Sequence, residues 1–163
     1  MVLGESGLRP GEVFSLKLND LNLNTRISEL RVSGLDVEDR AAAPLKFNVT
    51  KRSFCSFFTS KSLIRDYIEE AKIQPNQRLF YNRRRLREEI YKAMMRILGR
   101  TFDLYALRRF FVTEMLRRDV NPLFLDMMQG RKPKAFRIML GHYQKLTLFD
   151  LRREYDKAQL RVI

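Results

Sequence analysis

The sequence predicts an α+β domain, mainly helical, with a small antiparallel three-stranded sheet. Apolar residues recur at helical spacing through most segments. A stretch beginning near Leu21 switches instead to short β-type runs separated by turn-forming residues. With 163 residues, 45% of them hydrophobic, the chain can bury one sizeable core and has no room for a second domain.

Residues 1–7 read as the end of a helix or a turn leading to Arg9. Pro10 suits the first position of a helix continuing through Val13, Leu16 and Leu18. Arg9 then stands at a helix N-terminus, where free backbone N–H groups favour a phosphate. Without further context it reads as an exposed cap residue. Runs 28–32, 45–49 and 53–59 supply the sheet, and Thr50, Lys51 and Arg52 turn the last two into a hairpin. Residues 36–44 hold three alanines and four charges and read as a loop.

Residues 61–72 form an amphipathic helix through Leu63, Ile64, Tyr67 and Ile68, interrupted before Pro75. Asn82 precedes a helix running to about Leu98, which buries Leu86, Ile90, Met94 and Ile97. The helix beginning near Leu104 follows. Asn121 and Pro122 open another, through Leu123 and Leu125 to Met128, and Gly130 ends it. Pro133 keeps Lys132 out of a helix. Residues 148–160 make a last amphipathic helix, on whose exposed side Tyr155 reads as lying.

Lys and Arg number 32 against 19 Asp and Glu, a formal charge of +13, which favours a polyanionic partner and nucleic acid first. A membrane surface is the weaker candidate. The basic residues are spread over every segment, and no apolar run reaches a spanning length. No signal-peptide pattern is present. The single cysteine, Cys55, excludes an intrachain disulfide and points to no oxidising compartment, so an intracellular location is expected. The only histidine, His142, and Cys55 have no zinc-ligand spacing, and no carboxylate cluster suggests a two-metal nuclease. Neither metal nor cofactor is expected.

Two groups of arginines carry candidate chemistry. Arg83, Arg84, Arg85 and Arg87 put four arginines into five residues at a helix start. Such a run is commonly a solvated face, but on a chain this basic it reads as phosphate contacts that set register with little sequence preference. Arg108 differs, because Leu104, Tyr105, Phe111 and Val112 stand three and four residues from it. A half-buried, always charged guanidinium needs an anionic partner. That partner is either a structural acid, such as Asp103 or Glu114, or a bound anion.

The motifs around Arg108 add a family resemblance. Tyr105-Ala106-Leu107-Arg108 has the form of a His-x-Leu-Arg box with Tyr for His. Met127-Met128-Gln129-Gly130-Arg131 looks like a Leu-Leu-Gly-His box with Arg for His. Ser6-Gly7-Leu8-Arg9-Pro10-Gly11-Glu12 looks like a first arginine box, Thr-Gly-Leu-Arg-x-x-Glu, and Tyr143 follows the last box. In this order and at these spacings the chain resembles the catalytic domain of the tyrosine recombinases, the phage-integrase family. Its substitutions resemble the integrases of archaeal spindle-shaped viruses. The resemblance spans nearly the whole of residues 1–163. It implies a single C-terminal catalytic domain, truncated at its N-terminus, that acts on double-stranded DNA within a synaptic oligomer.

The resemblance also implies roles. Arg9 and Arg108 hold the non-bridging phosphate oxygens through paired N–H donors, with Glu12 bracing the arginine, and Arg131 adds a third donor. Tyr143 is the nucleophile, forming a 3′-phosphotyrosine, with Tyr155 as the alternative. Lys51, on the hairpin, is the general acid for the departing 5′ oxygen, with Lys46 in reserve. Tyr105 replaces a His that handles the nucleophile's proton; it acts as a base or only positions a phosphate oxygen. The family often docks its C-terminal tail on a neighbouring protomer.

Overall fold

The computed structural model describes residues 1–32, 54–131 and 147–160. Helices α1 (Val2–Ser6) and α2 (Pro10–Ser15) lead through a 3-10 turn, Leu18–Asp20, into β1 (Leu21–Asn22), β2 (Ser28–Val32) and β3 (Phe54–Phe58). Helices α3 (Lys61–Glu70), α4 (Arg83–Leu98), α5 (Tyr105–Arg117), α6 (Pro122–Met128) and α7 (Leu148–Ala158) follow.

The sheet is antiparallel in the order β1-β2-β3, with Ser28 opposite Phe58 and Val32 opposite Phe54. Its third described strand is the two-residue β1, which sequence patterning did not mark. The expected run 45–49 and the turn at Lys51 lie outside the described residues. Successive strand side chains point to opposite faces, and β3 uses both. Phe58 enters a cluster with Leu8, Val13, Leu16, Leu30 and Leu79. Phe57 enters a second with Phe111, Met115, Met128, Leu151 and Tyr155. The sheet therefore separates two cores, and helices α1, α6 and α7 all pack on β3.

Local signals bound α4 and α6 where expected. Asn82 accepts from the Arg85 N–H at the start of α4, and Gly99, at φ 65°, ends it. Asn121 does the same for Leu123 at the start of α6. Three expectations are corrected. Helix α2 stops at Ser15, with Leu16 as its cap and Leu18 in the 3-10 turn. In α3 the buried stripe runs through Ile64, while Leu63 is exposed. In α4 the last turn projects beyond the core, which its side chains reach no further than Met94, and leaves Ile97 73% exposed.

Candidate active site

The site is assembled around Gly7. It ends α1 in the left-handed region, at φ 63°, which favours glycine. A side-chain carbon there would come within 2.1 Å of the Phe111 ring, so only glycine allows α1 to approach α5 this closely. The approach brings the Gly7 carbonyl to Arg108, whose Nη1 donates to it at 2.7 Å.

Arg108 is only 6% exposed. Its Nη2 donates to the Gln129 carbonyl at 3.3 Å, and its Nη1 lies 3.6 Å from Glu12 Oε2. One guanidinium thus joins three segments distant in sequence. The acid beside it is Glu12, which corrects the expectation of Asp103 or Glu114. Asp103 instead accepts from the backbone N–H of Tyr105, and Glu114 pairs with Arg117. Glu114, six residues beyond Arg108, is not on the same helical face. Burial, then repulsion from Arg9 and Arg131, pushes the Arg108 pKa down to about 10 against the pull of Glu12. The group therefore stays charged near neutrality, in a site already rich in positive charge.

Glu12 is itself buried and shared. Its Oε2 accepts from the Arg9 backbone N–H at 2.6 Å, and its Oε1 from Arg9 Nη1 at 2.8 Å. The start of α2 is thus capped by this carboxylate, and Pro10 at its first position has no N–H of its own. Arg131 follows Gly130, whose φ of 67° and close approach to the Phe54 ring again require glycine. Its Nη1 lies 3.5 Å from Asp126, and the side chain remains about half exposed.

These residues converge. Among the described residues, Arg9, Tyr105, Arg108, Arg109, Val112, Thr113 and Arg131 line one open concavity of about 420 Å³. Four guanidiniums surround it, with Glu12 and Asp126 as the acids paired to them. Arg109 and Thr113 escaped the reading of the sequence. The signal that could have found them is their spacing of four and eight residues from Tyr105, which sets all three on one helical stripe.

The arginine-rich start of α4 is a separate feature, absent from the lining of this concavity. Arg83 sits over the Phe14 ring, 5.8 Å from its centroid, and so leans on α2. Arg84 pairs with Glu88 at 3.0 Å, and Arg84, Arg85 and Arg87 are exposed.

Lys51, Lys46 and Tyr143 lie outside the described residues. Tyr155, expected on an exposed side, is fully buried. Its hydroxyl donates to the Glu5 carbonyl at 3.0 Å, its ring packs against Phe57 and Phe111, and burial raises its pKa well above the usual tyrosine value. A phenol so enclosed and so hard to ionise is a poor nucleophile. Helix α7 has its apolar face filled by its own chain, through Leu151, Tyr155 and Ala158. Among the described residues no group of three or more His, Cys, Asp or Glu could hold a metal ion, and no helix is long and apolar enough to cross a membrane.

No family model matches the chain, and no curated protein does. Among solved structures it is similar to XerA recombinase, at 20% identity and a TM-score of 0.60 over 99% of this chain and 57% of that one. It is similar to XerH site-specific recombinase bound to its difH substrate in a pre-cleavage complex, at 15% identity and 0.59 over 87% and 41%. It also resembles the Tn1549 transposon integrase in complex with transposon right-end DNA, at 18% identity and 0.55 over 98% and 57%. The chain spans about half the length of these proteins, and what it shares with them is the fold.

Proposed function

We propose that this chain is the catalytic domain of a tyrosine recombinase or integrase, of the kind found in archaeal spindle-shaped viruses, that breaks and rejoins double-stranded DNA. The observation that supports the reading best is the convergence of Arg9, Arg108 and Arg131 on one concavity from three separate segments. The fold shared with XerA and XerH recombinases supports it independently.

In this reading Arg9 and Arg108 present planar forks to the non-bridging oxygens of one phosphate, and Arg131 adds a third charged donor. Arg108 needs no reorganisation, because the Gly7 and Gln129 carbonyls already fix it, and such fixed donors are most effective where charge builds in the transition state. The Tyr143 hydroxyl attacks phosphorus, giving a 3′-phosphotyrosyl bond as the 5′ oxygen departs with a proton from Lys51, or from Lys46 in its place. Tyr105 either accepts the nucleophile's proton in its phenolate form or positions a phosphate oxygen while that proton passes to water. A 5′ hydroxyl of a second strand then reverses the step, in a synaptic oligomer. Arg83, Arg84, Arg85 and Arg87 add affinity for the DNA backbone.

The test is incubation with a library of nicked duplexes of randomised centre, followed by a denaturing gel and peptide mapping. A covalent adduct at Tyr143, lost in Tyr143→Phe and formed in excess chelator, is expected. Binding without an adduct would make the chain a DNA-binding module. An adduct with supercoil relaxation but no joint molecules would make it a type IB topoisomerase.

A further inference from the structure

Helix α5 turns three hydrogen-bonding side chains along one face: Tyr105, Arg109 and Thr113, at intervals of four residues. All three line the concavity, and all are exposed. Among the described residues none of the three makes a side-chain hydrogen bond or ion pair. The rest of the helix behaves differently. Arg117 pairs with Glu114 at 2.9 Å, and Arg118 reaches both Glu114 and the Ala158 carbonyl. The positions three and four residues from Arg109 are Tyr105, Ala106, Val112 and Thr113, none of them acidic. The helix neutralises its later arginines and leaves Arg109 open beside three other guanidiniums.

Spacing completes the case. Four residues advance a helix by about 6 Å, comparable with the step between neighbouring phosphates of one strand. If one phosphate sits among Arg9, Arg108 and Arg131, the stripe runs from Tyr105, one turn before Arg108, along the rim past Arg109 to Thr113. We infer that Arg109 is a positioning residue that holds the phosphate adjacent to the scissile one on the same strand, with Thr113 extending the contact. The inference rests on the reading that the concavity holds the scissile phosphate. Arg109 acts on affinity and register, while Arg108, two-carbonyl-bound and buried, acts on the reacting phosphate.

The experiment uses the duplex that gives the wild-type adduct, prepared also with a neutral methylphosphonate in place of the phosphate on either side of the scissile one. Arg109→Ala is expected to weaken binding roughly tenfold, to lower the salt slope by about one, and to change little the cleavage rate at saturating DNA. Arg109→Lys, which keeps the charge, restores most of the affinity. At one of the two neighbouring positions the methylphosphonate weakens wild-type binding but adds little to Arg109→Ala, because both changes remove the same pairing. Full additivity at both positions would overturn the assignment of Arg109. Failure of every duplex to give an adduct with the wild type would overturn the underlying reading of the site instead.

Discussion

Arg108 and Arg84 are helical arginines of one chain, yet they differ in almost every physical respect. Arg108 is buried, and its fork is held by two carbonyls, one 101 residues before it in sequence and one 21 residues after. Arg84 has a side chain 92% exposed and, among the described residues, pairs with Glu88 one turn away. The exposed pair contributes little to stability, because water screens it and two flexible side chains must be ordered to form it. The buried group is costly to form but rigid once formed. The same residue type therefore suits two tasks: a fixed donor where a reaction needs charge at one point, and a mobile one where a polyanion must be held along its length.

The strongest way to break this contrast is at Gly7. Gly7→Ala would force a left-handed alanine and press its methyl group into Phe111, with a combined cost of roughly 2–5 kcal/mol. Denaturant unfolding should show that loss. A change under about 0.5 kcal/mol, the scale of an ordinary surface substitution, would mean that α1 and α5 do not need the close approach and that Arg108 is not held by it.

A smaller effect separates the two arginine regions directly. On the proposed function, in which its donors gain most in the transition state, Arg108→Ala should slow adduct formation about a hundredfold or more while changing DNA affinity little. Arg84→Ala with Arg85→Ala should do the reverse, weakening binding to all sequences and flattening its salt dependence by about one unit for each phosphate left without its arginine. Paired measurements of binding and of single-turnover cleavage decide it. Equal losses of affinity and no loss of rate for Arg108→Ala would erase the distinction.

The smallest effect sharpens what burial means. Tyr155, like Arg108, is a buried polar side chain bound to a backbone carbonyl, but it is not among the described residues that line the arginine concavity. Tyr155→Phe should cost about 1 kcal/mol in thermal or denaturant unfolding and leave the covalent adduct intact. Loss of the adduct in this variant, with its retention in Tyr143→Phe, would exchange the two tyrosines' roles.

Much of the fold was legible because its signals are local. The starts at Asn82 and Asn121, the end of α4 at about Leu98 and the end of α6 before Gly130 depend on groups a few residues apart. The boxes around Arg9, Arg108 and Arg131 were legible for the same reason, as short strings in a fixed order. What failed was burial. Leu63 and Ile97 satisfy a helical period, and only the extent of the neighbouring core decides that they face solvent. Tyr155 stands among charged residues in sequence, yet its ring lies against Phe57 and Phe111.

By itself the sequence determined a basic, mainly helical α+β chain, the starts of its longer helices and the three arginines of the boxes. Only the tertiary structure decided that Glu12 and the carbonyls of Gly7 and Gln129 hold Arg108. It alone showed that Arg109 joins the concavity and that Tyr155 closes the core with a hydrogen bond spanning 150 residues. The physical reason is range. Capping and periodicity act within a turn or two of backbone and can be read from neighbours. The partner of a buried polar group is whatever the packing of distant segments delivers, and a helical pattern fixes only which way that group points.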